Sequence, residues 1–188
     1  AYQRSSVPVA DNADDEINYS HTVVRRLTAE QLADGLVQAT GGSLAFAGLP
    51  DGTRAASVPG VGAMLRRQGG PRAGDQMLRV FGKPQRLQSC ECERSDETTL
   101  AQAFWLLSGS TVQQLIGDPR GIVATLGKSG GEPQRMIDTL YWRILSRAPS
   151  DAERTELVTF LQQRQGSKTA LEDIVAALVT SPEFLLRR

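Results

Sequence analysis

The sequence predicts a mainly α-helical fold: a bundle of about five to seven short helices with one long irregular segment. Apolar residues recur at helical spacing throughout the second half of the chain. Capping residues precede these apolar runs, and glycine or proline follows them. Residues 41–80, in contrast, hold 9 of the 18 glycines and three prolines, which indicates an irregular segment.

One regular helix is predicted in the first half of the chain. It begins after Thr28, which forms a capping box with Gln31, and it ends at Gly41. The stretches 43–49 (SLAFAGL) and 53–60 (TRAASVPG) are candidates for short strands. An irregular segment of this length is either a functional excursion or a belt across the bundle.

The second half of the chain is predicted to be a compact bundle of antiparallel helices, because the loops between the amphipathic segments are short. Residues 1–188 are therefore taken as one domain, with an irregular half over 1–94 and a helical bundle over 95–188. A cap is predicted at Ser95-Asp96-Glu97, and a capping box is predicted for Ser110 with Gln113. The predicted helices begin near Ser95, Ser110, Ile122, Pro133, Ser150, Ser167 and Pro182. In the first of them, the stripe expected to face the core is Leu100, Ala103, Phe104 and Leu107.

The charge balance argues against a nucleic-acid partner. Lys+Arg and Asp+Glu both number 21. Residues 1–20 carry one basic and four acidic groups, and residues 51–94 carry eight basic and four acidic groups. These two segments are expected to attract each other. No apolar run approaches the roughly 18 residues of a membrane span, so membrane insertion by this segment is not predicted. The chain opens abruptly at Ala1 without a methionine, which is typical of an excised piece of a longer protein.

The only two cysteines, Cys90 and Cys92, are one residue apart. They could form a local disulfide, remain as buried thiols, act as a nucleophile with the single histidine, His21, or join His21 and Glu91 or Glu93 in a zinc site. Zinc sites prefer four cysteine or histidine ligands, and a haem would require a Cys-x-x-Cys-His motif that the chain lacks. The disulfide or buried-thiol interpretation is favoured, and no cofactor or metal is predicted.

Three other features each have an ordinary structural interpretation. The stretch 11–16 (DNADDE) lacks the glycine and terminal glutamate of a calcium loop, which favours a solvated acidic loop. Trp105 and Trp142 lie beside apolar helical stripes, which favours core packing over sugar stacking. The chain contains no Gly-x-Ser-x-Gly elbow and no glycine-rich phosphate loop after a strand.

Several longer strings carry a family resemblance. In chain order they are YQRSS (2–6), RRLTAEQLADGL (25–36), GLPDGTRA (48–55), FGKP (81–84), CECERSDETTLAQAFWLLSG (90–109), LYWRILSRAPSDAE (140–153) and ALVTSPEFLLRR (177–188). Together they resemble the planctomycete-type domain of unknown function 1553, and Cys-Glu-Cys-Glu-Arg is the most specific of them. The resemblance implies a C-terminal domain of a large exported protein, located in the periplasm or at the cell surface. It also implies upstream domains as partners, often with a cytochrome-c-like module, and it supplies no established activity.

The cysteine string is therefore interpreted as structural. In the oxidising compartment that the resemblance implies, we expect Cys90 and Cys92 to be linked and to constrain a turn. Glu93 and Arg94 are then expected to pair with Arg25, Arg26 or Glu30. The predicted function is a non-catalytic scaffold or docking domain that serves the upstream modules. The alternative is a redox or hydrolytic module that uses the cysteine pair, linked to polysaccharide degradation or electron transfer, and whether the domain is an enzyme stays open.

Overall fold

The computed structural model describes residues 7, 9–15, 17–18, 20–59, 70–84 and 99–187, and it confirms the mainly α-helical class. The helices are α1 (Ala29–Thr40), α2 (Ala73–Val80), α3 (Leu100–Ser108), α4 (Ser110–Ile116), α5 (Ile122–Ser129), α6 (Pro133–Ile144), α7 (Asp151–Gln163), α8 (Lys168–Val179) and α9 (Pro182–Leu185). Two short strands, β1 (Arg25–Arg26) and β2 (Leu186–Arg187), pair antiparallel. This pairing brings the end of the described chain back to the segment that precedes α1.

Helix α1 lies at the centre of the fold and contacts α2, α4, α5, α6 and α8. The predicted capping box of Thr28 and Gln31 is present, and the helix ends at Gly41, whose φ of 74° suits a residue without a side chain. The Arg143 side chain of α6 donates from Nε to the Ala39 carbonyl at 2.9 Å. That bond satisfies one of the carbonyls that a helix leaves open at its end.

Within the irregular segment, the described residues 41–59, which we call the belt, contribute to the core. Leu44, Phe46, Ala55 and Val58 are all buried in the same apolar cluster as the helices. The strand predictions at 43–49 and 53–60 are wrong over the described residues, because the chain there forms turns and a 3-10 helix at Ala55–Ser57. The Asp34 side chain of α1 fixes this turn by accepting hydrogen bonds from the amides of Ala55 (2.7 Å) and Ala56 (3.2 Å).

Helix α2 lies inside the segment that the glycine content marked as irregular. Its first turn is stabilised by Asp75, whose Oδ2 accepts from the Arg72 amide at 2.9 Å. The helix buries Met77 and Leu78 completely. Gly74 lowers the intrinsic helix propensity, and packing of α2 against α1 outweighs it.

The predicted orientation of α3 is wrong. Its first residue is Leu100, capped by Thr99 with Gln102, while the cap predicted at 95–97 lies outside the described residues. Gln102 and the half-buried Trp105 and Leu106 face the protein instead. The Trp105 ring packs edge-on against Phe81 with 5.5 Å between centroids. The stripe predicted to face the core is exposed to solvent instead; it consists of Leu100, Ala103, Phe104 and Leu107.

The capping box predicted for Ser110 with Gln113 is not formed. Gly109 is the N-cap, and Ser110 is already the first residue of α4. The Gly109 amide donates to the Trp105 carbonyl at 3.0 Å and so ends α3. Since the same residue begins α4, the second helix follows the first directly. The box predicted at Ser150 with Glu153 is present and begins α7.

Two helical glycines provide a matched test of the belt. A Cβ at Gly74 would come within 2.5 Å of the Phe46 ring and 2.8 Å of the Ala45 carbonyl, whereas one at Gly127 of α5 would meet nothing within 4 Å. We expect Gly127→Ala to stabilise the protein by about 0.5–1 kcal/mol through helix propensity. Gly74→Ala should destabilise it by roughly 1–3 kcal/mol through overpacking. Urea midpoints measure both, and equal stabilisation by the two changes would contradict the packing of Phe46 on α2.

Candidate functional site

A buried lysine connects α1 to the belt. The Lys83 side chain, 4% exposed, donates from Nζ to the carbonyls of Val58 at 2.6 Å and Ala55 at 3.2 Å. The Glu30 carboxylate of α1 lies 3.5 Å from the same nitrogen and is itself 13% exposed. The ammonium is thus surrounded by oxygen atoms, as a buried charge requires. Lys83 therefore links α1 to the 3-10 helix at Ala55–Ser57 through these contacts.

A buried carboxylate connects the belt to α2. Asp75 is 2% exposed, and its Oδ2 accepts from the Ala47 amide at 2.8 Å as well as from Arg72. Its Oδ1 is buried and has no hydrogen-bond partner among the described residues. Two backbone amides on one oxygen hold the carboxylate in place, so its role in this arrangement is to position the chain around Ala47.

A glutamine connects β1, α2 and α3. The Gln102 side chain is 6% exposed, and its Oε1 accepts from Arg26 Nη1 at 2.7 Å. Its Nε2 donates to the Val80 carbonyl at the end of α2 at 3.0 Å. This bridge holds the inner face of α3 against the rest of the protein. We call Glu30, Lys83, Arg26 and Gln102 the polar junction.

The structure places two of the predicted site residues in the polar junction. Arg26 and Glu30 each take part, while the exposed Arg25 pairs with Arg187 through the strand backbone. The pairing predicted for them involves Glu93 and Arg94, which lie outside the described residues together with Cys90 and Cys92. That pairing stays a prediction.

Sequence reasoning missed Lys83 and Gln102. The available signals were a lysine between Phe81 and Pro84 in FGKP and a glutamine at the third position after Thr99. The spacing of Gln102 predicts a capping role, which it fulfils, but not its contact with Arg26.

A second ionic cluster joins α7 to α9. The Arg147 guanidinium binds Glu153 at 2.7 and 2.9 Å and Glu183 at 2.7 and 2.8 Å, and it lies 5.2 Å from the centre of the Tyr141 ring. The hydrogen bonds from Arg147 hold the pKa of Glu153 well below its usual range. Burial, together with the Glu153 charge, raises the pKa of Tyr141.

The ion pairs of Arg147 with Glu153 and Glu183 should make the stability of the folded protein depend on pH. Because the pKa of Glu153 is depressed in the folded state, its ionised form stabilises the protein above the unfolded value of about 4.5, and this contribution is lost as the pH falls below that value. Glu153→Gln keeps the capping partner of Ser150 but removes the charge. The melting temperature of the variant should therefore lie below that of the wild type at pH 7, and the gap should narrow toward pH 3. A gap that stays constant would contradict the ionic role of Glu153.

The remaining sequence candidates lie apart from these clusters. Asp15 accepts hydrogen bonds from the amides of Ile17 (3.2 Å) and Asn18 (2.8 Å), so it organises its own loop. His21 has a buried Nδ1 without a hydrogen-bond partner in the part of the chain that is described. Trp142 is 58% exposed, so the prediction of core packing is wrong for this tryptophan. Over the described ranges, no group of three or more His, Cys, Asp and Glu residues is arranged to hold a metal.

The outer face of α3 is an apolar surface exposed to solvent. Leu100, Phe104 and Leu107 are 74%, 61% and 66% exposed and follow one another at i, i+4 and i+7. This spacing puts them in one stripe. The inner face of the same helix is held by Gln102 and by the contact of Trp105 with Phe81. We call Leu100, Phe104 and Leu107 the α3 stripe.

Among the described helices, none combines the length and the apolar character that spanning a membrane requires. A search of curated proteins and a search of solved structures found no match to the chain. A family model described as PSD1, protein of unknown function (DUF1553), matches residues 1–161. The match includes the polar junction and the α3 stripe and stops before the string at 177–188. Since it spans most of the 188 residues, the chain belongs to the PSD1 family of proteins of unknown function (DUF1553).

Proposed function

We propose that this chain is a non-catalytic docking domain of a larger exported protein, and that the α3 stripe is the surface on which another domain of that protein rests. The observation that carries the proposal is the exposure of three large apolar side chains in one stripe. Isolated exposed apolar residues are ordinary, but a contiguous patch of them is typical of an interaction site.

The size of the stripe suits an interdomain contact. Complete burial of one leucine or phenylalanine side chain contributes about 1.5–3 kcal/mol. Three anchors at i, i+4 and i+7 are also the pattern with which a helix enters a groove. A linked domain needs only modest affinity, because the linker supplies a high effective concentration.

The polar junction supports this role by fixing the position of the stripe. Gln102 bonds Arg26 on one side and the Val80 carbonyl on the other, so the inner face of α3 is held by two other elements. Neither bond involves the apolar residues that point outward. A docking surface held this firmly loses little conformational freedom on binding.

The other domains of the same full-length chain are the partners that we propose, and the periplasm or cell surface is the proposed location. The support is the resemblance of the chain to C-terminal domains that follow other modules in exported proteins, together with its place in the DUF1553 family.

Hydroxyl-radical labelling read by mass spectrometry tests the proposal. The full-length protein is compared with the 188-residue chain under the same conditions. We expect labelling of Phe104 and Leu107 to fall several-fold in the full-length protein, because the docked domain covers them. Trp142, 58% exposed on α6, serves as the internal control and should be labelled equally in both. Equal labelling of Phe104 in the two proteins would overturn the proposal.

The cysteine pair has its own prediction. We expect Cys90 and Cys92 to be linked in the exported protein, because residues two apart can meet the Cα separation of about 4.4–6.8 Å that a disulfide needs. So small a ring should stabilise by less than the typical 2–4 kcal/mol, so replacing both cysteines with serine should lower the melting temperature only slightly. Thiol titration of unfolded, unreduced protein is the direct measurement. Two free thiols per chain would refute the link and favour the redox or hydrolytic alternative.

A further inference from the structure

A groove of about 890 Å³ runs between α7 and α8. Its apolar lining includes Leu157 and Phe160 from α7 and Ile174 and Ala177 from α8. Along α7 the lining extends from Asp151 to Gln163, which corresponds to roughly 18 Å, or a little over three helical turns. Along α7 the groove therefore has the length of a short helix, whereas on the α8 side its lining extends only from Asp173 to Ala177, about one turn.

Helix α7 is apolar on two adjacent faces. Val158 and Leu161 are buried in the bundle, whereas Leu157 and Phe160 are half-buried and line the groove. The bundle core thus covers only part of the apolar surface of α7. The uncovered part is the surface that a partner would bury.

The rim of the groove is acidic. Its lining contains three carboxylates, Asp151, Glu156 and Asp173, and no lysine or arginine. Asp151 has Arg154 at 3.3 Å, while Glu156 and Asp173 are exposed and have no ion-pair partner within the described ranges. Carboxylates around an apolar floor attract a ligand that combines apolar side chains with positive charge.

The Phe160 ring already accepts a cation. The Arg164 guanidinium lies 5.4 Å from its centre, beside the groove. A lysine or arginine of a partner can make the same kind of contact with this ring by displacing Arg164 or by using the opposite face.

We propose that the groove between α7 and α8 binds a basic amphipathic helix, with leucine-like anchors on the apolar floor and lysine or arginine beside Glu156 and Asp173. The length of the groove and its negative rim favour such a helix over a compact apolar molecule and over an anionic lipid surface. The groove is formed by helices other than α3, so this inference does not rest on the proposed docking function.

The probe is a synthetic helical peptide of about 14 residues, roughly four turns, with leucines at i, i+4 and i+7 and lysines on both flanks. A second peptide has the same leucines and glutamates in place of the lysines. Binding to the 15N-labelled chain is followed by two-dimensional NMR. We expect the lysine peptide to shift the amide signals of α7 and α8 and to bind at least tenfold more tightly than the glutamate peptide.

Two variants separate the apolar and ionic contributions. Ala177→Arg fills the groove from an exposed position of α8, so it should weaken binding of the lysine peptide at least tenfold without disturbing the core. Glu156→Lys combined with Asp173→Lys should reverse the order of the two peptides. Glu132→Lys, a charge reversal of a 74% exposed residue outside the groove, is the matched control and should change nothing.

Three outcomes would overturn the proposal. The first is equal affinity of the wild type for both peptides, or no shift with either. The second is binding of the lysine peptide that Ala177→Arg leaves unchanged. The third is that a small apolar dye binds in the groove and the lysine peptide does not displace it.

Discussion

Replacing Lys83 with methionine is expected to destabilise the protein by about 3 kcal/mol, since breaking a buried ion pair typically costs 3–5 kcal/mol. Methionine keeps most of the side-chain volume but removes the ammonium. The change leaves the Glu30 carboxylate and the carbonyls of Ala55 and Val58 without the donor that they share. Urea or guanidinium denaturation measures the loss.

Two further variants make this test specific. Adding Glu30→Gln to Lys83→Met should recover part of the lost stability, because the double variant no longer holds a partly buried carboxylate charge next to an apolar side chain. Lys128→Met, at an exposed position in the last turn of α5, is the control and should change stability by less than about 0.5 kcal/mol. A loss below about 1 kcal/mol for Lys83→Met would mean that Lys83 does not tie α1 to the belt.

Phe46→Ala is expected to destabilise the protein by about 3–5 kcal/mol, at least as much as Leu140→Ala in α6. Both side chains are buried, at 2% and 0% exposed. Phe46 fills the space above Gly74, so its removal leaves a cavity between the belt and α2. Denaturant midpoints of the two variants, measured side by side, test whether the belt belongs to the core.

Phe104→Ala is the control for this comparison. It removes the same side chain from a position that is 61% exposed, and it should change the stability of the 188-residue chain by less than about 0.5 kcal/mol. If Phe46→Ala were as mild as Phe104→Ala while Leu140→Ala remained severe, the belt would lie outside the cooperative core.

The helices that were predictable are those whose signals are local. Ser150 with Glu153 predicts the start of α7, and Pro133 predicts the start of α6. Both depend on atoms within one turn of the chain, so they depend little on distant packing, although the equally local box predicted for Ser110 with Gln113 is not formed. The same holds for Thr28 and Gln31 at α1.

The orientation of α3 could not be predicted because its sequence, LAQAFWLLS, is apolar almost all round. Hydrophobic periodicity identifies such a helix without selecting its inner face. The choice is made by long-range contacts, namely Trp105 with Phe81 and Gln102 with Arg26. These partners come from other elements, and their spacing in the sequence gives no signal.

A belt was one of the two predicted alternatives, but the side chains that it buries could not be predicted, for a related reason. Glycine and proline indicated an irregular chain after α1, and the described residues 41–59 form turns and one 3-10 helix. Burial of Phe46 and Val58 depends instead on Asp75 and Lys83, which bind backbone groups 28 and 25 residues away. Contacts of this kind set the candidate site, and they become visible only once the chain is folded.

The most direct test of the docking account is the effect of Phe104→Gln combined with Leu107→Gln in two settings. In the full-length protein, the melting temperature of the transition that includes this domain should fall by roughly 2–4 °C for each kcal/mol of docking energy removed. In the 188-residue chain, the same two changes should leave the melting temperature almost unchanged, because both side chains already face solvent. Differential scanning calorimetry measures both. An equal shift in the two proteins would contradict the claim that the α3 stripe is a docking surface.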